Sequence, residues 1–489
     1  MKKREILEKL DFGHRIAEEE AKHLREYFVE TNQWNSLFKG DVDVVYGAKG
    51  AGKSALYSLL LSHEAYLKSR GIHTIPAENP RGTPVFSELV SDPPASEEEF
   101  RGLWKLYLLC LVGERLRRIG NFPYPAPQVI RKLEESNLLP SDGTLGGMLR
   151  SALDYVRRVM KADSIGVGIE LDETTGMPRG VSGKITLREP SLDLRQMGLA
   201  SVDGLLRQAD QALRNEGLRI WVLLDRLDVA FSESDELESS ALRALFRVYL
   251  DLVGLEAISL KIFLRSDIWG RIQTCHGQGF REASHISRHT TISWTNQSLL
   301  NLVVRRLLHN EVIRSEYRAD PTIVLSSTGD QVRLFNEIFP PQTNLDWMLF
   351  RLRDGSGQTR PRELIHLLHC ARGIQIRRLE LGGAEPGAKT LFDSRSLMQA
   401  LPEVSEVRFE QTLCAEYPKW RPQLLRLKGE KAHLSVSELA KIWQTTTKEA
   451  SGMAEELQEL GFFQKQGTRD NPIYWVPPLY QLPLQIKPQ

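Results

Sequence analysis

Short apolar runs alternate along the chain with longer stretches in which apolar positions recur every three or four residues. Val42-Asp43-Val44-Val45-Tyr46, Ile72-His73-Thr74-Ile75, Leu218–Leu224, Leu260-Lys261-Ile262-Phe263-Leu264 and Thr290–Trp294 have the length and the β-branched or aromatic content of strands. Between and after them, residues 53–69, 99–118, 202–215, 236–253 and 296–309 carry helical periodicity. In the second of these helices, Phe100, Leu103, Trp104, Tyr107, Leu108 and Leu111 share one face. Ser96 and Glu99 have capping-box spacing at its start. Apolar strands alternating with helices predict an α/β fold whose parallel sheet is covered on both faces.

The pattern also marks domains. Residues 1–34 are an N-terminal helical segment, with a helix over 14–33, and residues 35–310 form the α/β core. Residues 78–200 read as an insertion into that core, mostly helical, with a β-hairpin over 165–188. Residues 311–400 are a helical lid, and a loop at 354–361 opens a helix over 362–374. Residues 401–489 show helices over 437–443 and 447–460, then a hairpin from Phe462 to Val476, the order of a winged helix. A length of 489 residues is enough for roughly two to four domains.

Composition narrows the class. With 41% hydrophobic and 26% charged residues and a net charge of +1, there is no global electrostatic case for nucleic acid or an anionic membrane. The four cysteines, Cys110, Cys275, Cys370 and Cys414, are scattered and form no C-x-x-C pair. That fits free thiols in a reducing, cytoplasmic setting. The N-terminus lacks the apolar region of a signal peptide, and no apolar run approaches bilayer length.

The chemistry is concentrated at Gly47-Ala48-Lys49-Gly50-Ala51-Gly52-Lys53-Ser54, between the first strand and the helix that starts near Ala55. Strand, Gly-rich turn and helix together form the context in which G-x-x-x-x-G-K-[ST] cradles phosphates. Backbone N–H groups and the helix N-terminus face the anion, Lys53 reaches the β- and γ-phosphates, and Ser54 ligates Mg²⁺. Asp225, after Leu223-Leu224, is an acid at the tip of an apolar strand and a second Mg²⁺-holding group, with helix capping as its other possible role. Asp228 is the candidate for positioning or activating water, against a surface or capping carboxylate. Arg265, at the tip of the next strand, is a candidate γ-phosphate sensor or a finger acting across subunits, against a salt bridge to Asp225, Asp228 or Asp267. Arg360 and Arg362 flank Pro361 at a helix start, where cations oppose the dipole and point to an anionic partner. Cys275, His276, His285 and His289 match no compact zinc spacing, and His366, His369 and Cys370 read as packing or surface residues. In the winged-helix candidate, Glu449, Glu455, Glu456 and Glu459 face Lys448 alone, while the wing offers Lys465 and Arg469. This charge favours a protein partner over duplex DNA.

The phosphate loop, the Leu224-Asp225-Arg226-Leu227-Asp228 box and Arg360-Pro361-Arg362-Glu363-Leu364-Ile365 together resemble a family of bacterial P-loop ATPases close to the STAND and Orc/Cdc6-like AAA+ groups. Tyr27-Phe28-Val29-Glu30-Thr31 before the loop and Trp294 after the fifth strand also fit. The resemblance implies a sheet in the order 5-1-4-3-2, a helical lid and a winged helix. It also implies ATP-driven switching or assembly, often beside an effector and sometimes in defence against phage. The chain departs from the family at Arg226, where many relatives place a glutamate. The expectation is a slow cytoplasmic ATPase that uses ATP and Mg²⁺ to change conformation or oligomeric state and so regulate a partner protein. The rivals are an ATP-dependent DNA loader or remodeller and a nucleotide-binding scaffold without hydrolysis.

Overall fold

The computed structural model describes the chain except residues 1, 15–23, 80–84, 88, 90–91, 140–142, 165–169, 172–177, 180–184, 197, 228–233, 275–278, 388 and 488–489. Contacts divide it into a sheet unit, residues 32–48 and 53–292, and a helical unit, residues 1–31, 49–52 and 293–489.

In the sheet unit, β1 (Val44–Gly47), β2 (Ile72–Pro76), β3 (Arg219–Leu224), β4 (Ile258–Arg265) and β5 (His289–Thr291) form one sheet in the order β2–β3–β4–β1–β5. All pairings are parallel. Leu224 and Val44 both pair with Ile262, and Gly47 pairs with Arg265, so β1 and β4 run on together past the end of β3. Helices cover the inner strands, which is why they read as continuous apolar runs rather than alternating ones.

The exception is Lys261, in mid-β4 and 0% exposed. Its Nζ donates to the Val42 carbonyl and to Asp43 Oδ1, each at 2.7 Å, and it stands 4.6 Å from the Trp221 ring. Asp43 also accepts from Tyr249 OH at 3.3 Å and pairs with Arg288 Nε at 2.7 Å. Burial pulls the Lys261 ammonium below its ordinary range, and Asp43 opposes that pull.

Helix Glu97–Ile119 begins where Ser96 accepts from Glu99 N–H at 3.1 Å, with glutamates in its first turn, arginines in its last and Gly120 at positive φ after it. It is buried against helices Leu145–Ser164, Val202–Asn215 and Asp235–Leu252. Trp104 donates to the Ala241 carbonyl at 2.9 Å and Tyr107 to the Ala77 carbonyl at 2.8 Å, so the segment 78–200 shares the core of the sheet. The hairpin expected over 165–188 is corrected in part. Glu170–Leu171 pairs with Pro178–Arg179, but Ile185–Thr186 leaves that pairing to run parallel with Ala200–Ser201. Residues 165–169, 172–177 and 180–184 of that stretch are outside the described ones. The helix expected over 53–69 is two, Lys53–Ser62 and Glu64–Ser69, and the His63 ring between them donates to the Leu59 carbonyl at 2.9 Å.

His73 in β2 is buried, and burial, followed by the charge of Arg115, lowers its pKa. The folded chain therefore holds His73 neutral, while the unfolded chain takes up a proton first as pH falls. Its contribution to stability is complete above about pH 6.5 and is lost as the pH drops below that value. Urea unfolding at pH 7.5 and 5.5 is expected to show this loss, and His73→Phe is expected to flatten the slope between the two.

In the helical unit, helix Lys3–Lys9 lies on helix Pro361–Glu380, where Arg372 donates to the Leu7 carbonyl at 2.6 Å and the Glu8 carbonyl at 2.8 Å. Of the helix expected over 14–33, residues 15–23 are outside the described ones and Leu24–Tyr27 is helical. A separate helix in the sheet unit, Asn32–Lys39, begins where that helix was expected to end, and it buries Trp34 and Leu37. Helix Asn296–His309 opens with a Thr295–Ser298 capping box and packs with helices Thr328–Ile338 and Leu345–Leu352.

The C-terminal part runs β6 (His433–Ser435), helix Val436–Trp443, helix Thr447–Glu459, β7 (Gln464–Gly467) and β8 (Pro472–Trp475). The three strands form an antiparallel sheet in the order β6–β8–β7. The loop before helix Pro361–Glu380 presses on this part, with Gly355 N–H donating to the Gly461 carbonyl at 2.7 Å. A Cβ at Gly355 would meet the Phe463 carbonyl oxygen at 2.3 Å. Because that obstacle is backbone, Gly355→Ala is expected to destabilise the unit by about 1–3 kcal/mol, read as a lower urea midpoint by circular dichroism. Among the described residues, no helix is long and apolar enough to cross a membrane.

Candidate functional site

In the sheet unit, the candidate residues gather at the C-terminal ends of adjacent strands. β1 ends at Gly47, and helix Lys53–Ser62 starts with Lys53, Ser54 and Ala55. Lys53 Nζ donates to the Gly47 carbonyl at 3.0 Å and the Ala48 carbonyl at 3.3 Å, which turns the ammonium back over the start of the loop. Gly50 and Gly52 have φ of +84° and +105°, conformations that a side chain disfavours and that allow successive N–H groups to converge on an anion.

Asp225 follows β3 and is 4% exposed. Its charge, after burial, is the next cause of the upward shift of the Tyr57 hydroxyl on helix Lys53–Ser62, so the carboxylate stands near that helix. Arg226, directly after Asp225, has φ of +59° and donates to the Asn79 carbonyl at 3.1 Å. Its guanidinium is directed to the end of β2. Asp228 is outside the described residues.

Arg265 ends β4 opposite Gly47 in register. It is buried and makes a two-pronged pair with Asp267, Nε to Oδ1 at 3.1 Å and Nη2 to Oδ2 at 2.7 Å. Asp267 is thus one of the salt-bridge partners that the sequence left open to it.

Glu78, which carried no role in the sequence reading, lies two residues past the end of β2 and is 1% exposed. Its carboxylate accepts from the N–H groups of Asn79 and Val85, each at 2.6 Å, and burial nonetheless raises its pKa. Tyr57 OH donates to its backbone carbonyl at 3.3 Å. In sequence Glu78 lies beyond Pro76 and after a strand that includes His73 and Thr74, so it carries no signal like that of Asp225, which directly follows an apolar run.

In the helical unit, residues 49–52 have partners of their own. Trp294 Nε1 donates to the Ala51 carbonyl at 2.8 Å, and Lys49 pairs with Glu416. The Arg362 side chain lies over Gly50, where a Cβ would meet Arg362 Cβ at 3.3 Å. Arg360 is placed differently, its guanidinium pairing with buried Asp354. Arg408 extends this charged cluster by donating to Glu363 Oε1 at 3.1 Å and to Tyr480 OH at 3.3 Å. The two arginines that flank Pro361 thus have different surroundings, Gly50 for Arg362 and the unit's interior for Arg360. Glu416 belongs to no motif, and no sequence signal pointed to it.

The metal reading of the Cys275 loop also rests partly on undescribed residues. Cys275 and His276 are outside the described ones, while the His289 ring hydrogen-bonds the Ile286 carbonyl at 2.7 Å.

No protein-family profile matches the chain, and no curated protein matches it. Among solved structures, it is similar to the ORC2 protein of Aeropyrum pernix in its ADPNP–ADP complexes, at 13% identity over 98% of this chain and 96% of that one, with a TM-score of 0.41. The ADP form of that protein aligns at 13% identity over 99% and 96%, with a TM-score of 0.33. Cdc6p of Pyrobaculum aerophilum aligns at 13% identity over 95% and 91%, with a TM-score of 0.29.

Proposed function

We propose that the chain is an ATP-binding and ATP-hydrolysing switch that changes conformation or oligomeric state and regulates a partner protein. One observation carries the reading. A Gly-rich loop with positive-φ glycines joins a buried parallel strand to a helix headed by Lys53 and Ser54, while Asp225 stands at the end of a strand in the same sheet.

On this reading the N–H groups of residues 48–54 hold the phosphates. Lys53 moves its ammonium from the loop carbonyls to the β- and γ-phosphates. Ser54 and Asp225 offer oxygen donors only, the set that a hard dication such as Mg²⁺ selects. A dication held by these two residues would supply charge neutralisation to the phosphates. Asp228 orients a water for in-line attack at the γ-phosphorus; ADP leaves and the water proton passes to the carboxylate or to phosphate. Arg265, held by Asp267 opposite Gly47, senses the γ-phosphate. Arg362, over Gly50, reports the state of the loop, and Arg360 joins it only by exchanging Asp354 for phosphate.

The domains are then a core over 35–310 with the insertion 78–200, a helical lid over 311–400 and a winged helix over 401–489. The strand–helix–helix–strand–strand order of 433–475 supports the last of these. Its second helix presents Glu455 and Glu456, which pair with Lys465 at 3.1 Å and Lys419 at 3.4 Å. Cations that would meet a DNA backbone are thereby engaged, which favours a protein partner or a second copy of the chain.

The test is phosphate release from MgATP. The wild type is expected to turn over slowly, and Asp225→Asn to fall by at least about a hundredfold. Wild-type release no faster than that of the Asp225→Asn variant would leave only the scaffold reading.

A further inference from the structure

The helical unit contains a side-chain cluster that the nucleotide reading does not use. His366 and Cys370 lie one turn apart on helix Pro361–Glu380, and Glu403 faces them from helix Ser394–Arg408. One donor atom from each, an imidazole nitrogen, Sγ and a carboxylate oxygen, lies within 4.8 Å of the other two. His366 Nε2 is 3.9 Å from Glu403 Oε1. The cluster lines a cavity of about 620 Å³ that His14 and Arg377 also line.

We propose that His366, Cys370 and Glu403 bind a zinc ion. A tetrahedral zinc with bonds of 2.0–2.3 Å holds its donors about 3.3–3.8 Å apart. Side-chain rotation closes the remaining gap, and Glu403, 65% exposed, is free of packing that would oppose it. The i, i+4 spacing presents imidazole and sulfur on one face of a helix, and the third ligand comes from a neighbouring helix in direct contact. A thiolate with an imidazole selects a borderline-soft transition metal over Mg²⁺ or Ca²⁺. His369 shares the cavity wall but is not a ligand, because its Nε2 is engaged with the Gly13 carbonyl. Three protein donors leave a fourth position for water on the cavity side, the pattern of a site with an exchangeable ligand. The simple alternative is a His366–Glu403 ion pair beside an unrelated thiol.

Cobalt(II) titration of the full chain without nucleotide separates the two. One equivalent of cobalt is expected to produce a near-ultraviolet thiolate-to-cobalt charge-transfer band that zinc abolishes. Cys370→Ser is expected to remove the band, and Glu403→Gln to weaken binding at least about tenfold. Cys275→Ser is expected to leave the band unchanged. Circular dichroism checks that each variant is folded, and Glu403, at the surface, keeps the test open if Cys370→Ser unfolds. No band, a band that survives Cys370→Ser, or unchanged affinity in Glu403→Gln would overturn the site.

Discussion

Lys53→Ala is expected to reduce phosphate release from MgATP to background, a loss of at least about two orders of magnitude. The ammonium is the positive charge that the head of helix Lys53–Ser62 can bring to the β- and γ-phosphates, and catalysis of phosphoryl transfer rests on positioning and charge stabilisation. In the structure Lys53 Nζ donates to the Gly47 and Ala48 carbonyls at 3.0 and 3.3 Å. Lys53 is only part-buried, so the variant is expected to remain folded, read by circular dichroism. Loss of turnover with retained stability would assign Lys53 to phosphate. Turnover retained in a folded Lys53→Ala protein would remove the loop from the catalytic account.

The largest effect on stability is expected at Asp43. This carboxylate, 5% exposed, faces Lys261, which is 0% exposed. Asp43→Ala would leave an ammonium inside the sheet beside the Val42 carbonyl at 2.7 Å and the Trp221 ring at 4.6 Å. Breaking a buried pair from one side costs about 3–5 kcal/mol, most of it the penalty of the stranded charge. Urea unfolding should show that loss in Asp43→Ala. The double variant Asp43→Ala/Lys261→Met should recover most of it, because an apolar chain of similar length removes the stranded charge. Equal loss in the single and double variants would mean that Asp43 acts through Tyr249 and Arg288 instead. Since β1 leads directly into the phosphate loop, this pair also supports the strand that positions Gly47.

How much was legible before the structure depended on the range of the interaction. Helix starts are local, and Ser96 capping Glu99 or Thr295 paired with Ser298 can be read from residues three apart. The phosphate loop and the β3–Asp225 edge are legible because each is a few contiguous residues whose pattern follows from strand burial and backbone geometry. Lys261 was visible as a lone charge in an apolar run, but its partner Asp43 lies 218 positions away. Lys49 and Glu416 are 367 positions apart, and no periodicity joins them. Arg360 and Arg362 illustrate the same limit over a shorter range. Sequence placed both at a helix start, but only the packing turns one toward Asp354 and lays the other over Gly50. The helix Asn32–Lys39 was missed although Trp34, Leu37 and Phe38 have helical spacing, because eight residues are too few to mark a helix without the packing that buries Trp34 and Leu37 and stacks Trp34 on Phe38 at 4.9 Å.

The switch itself is tested most directly by small-angle scattering of the full chain with and without a non-hydrolysable ATP analogue and Mg²⁺. The account predicts a nucleotide-dependent change in radius of gyration or mass that Lys53→Ala abolishes. Superimposable curves under saturating analogue, with binding verified by calorimetry, would contradict it.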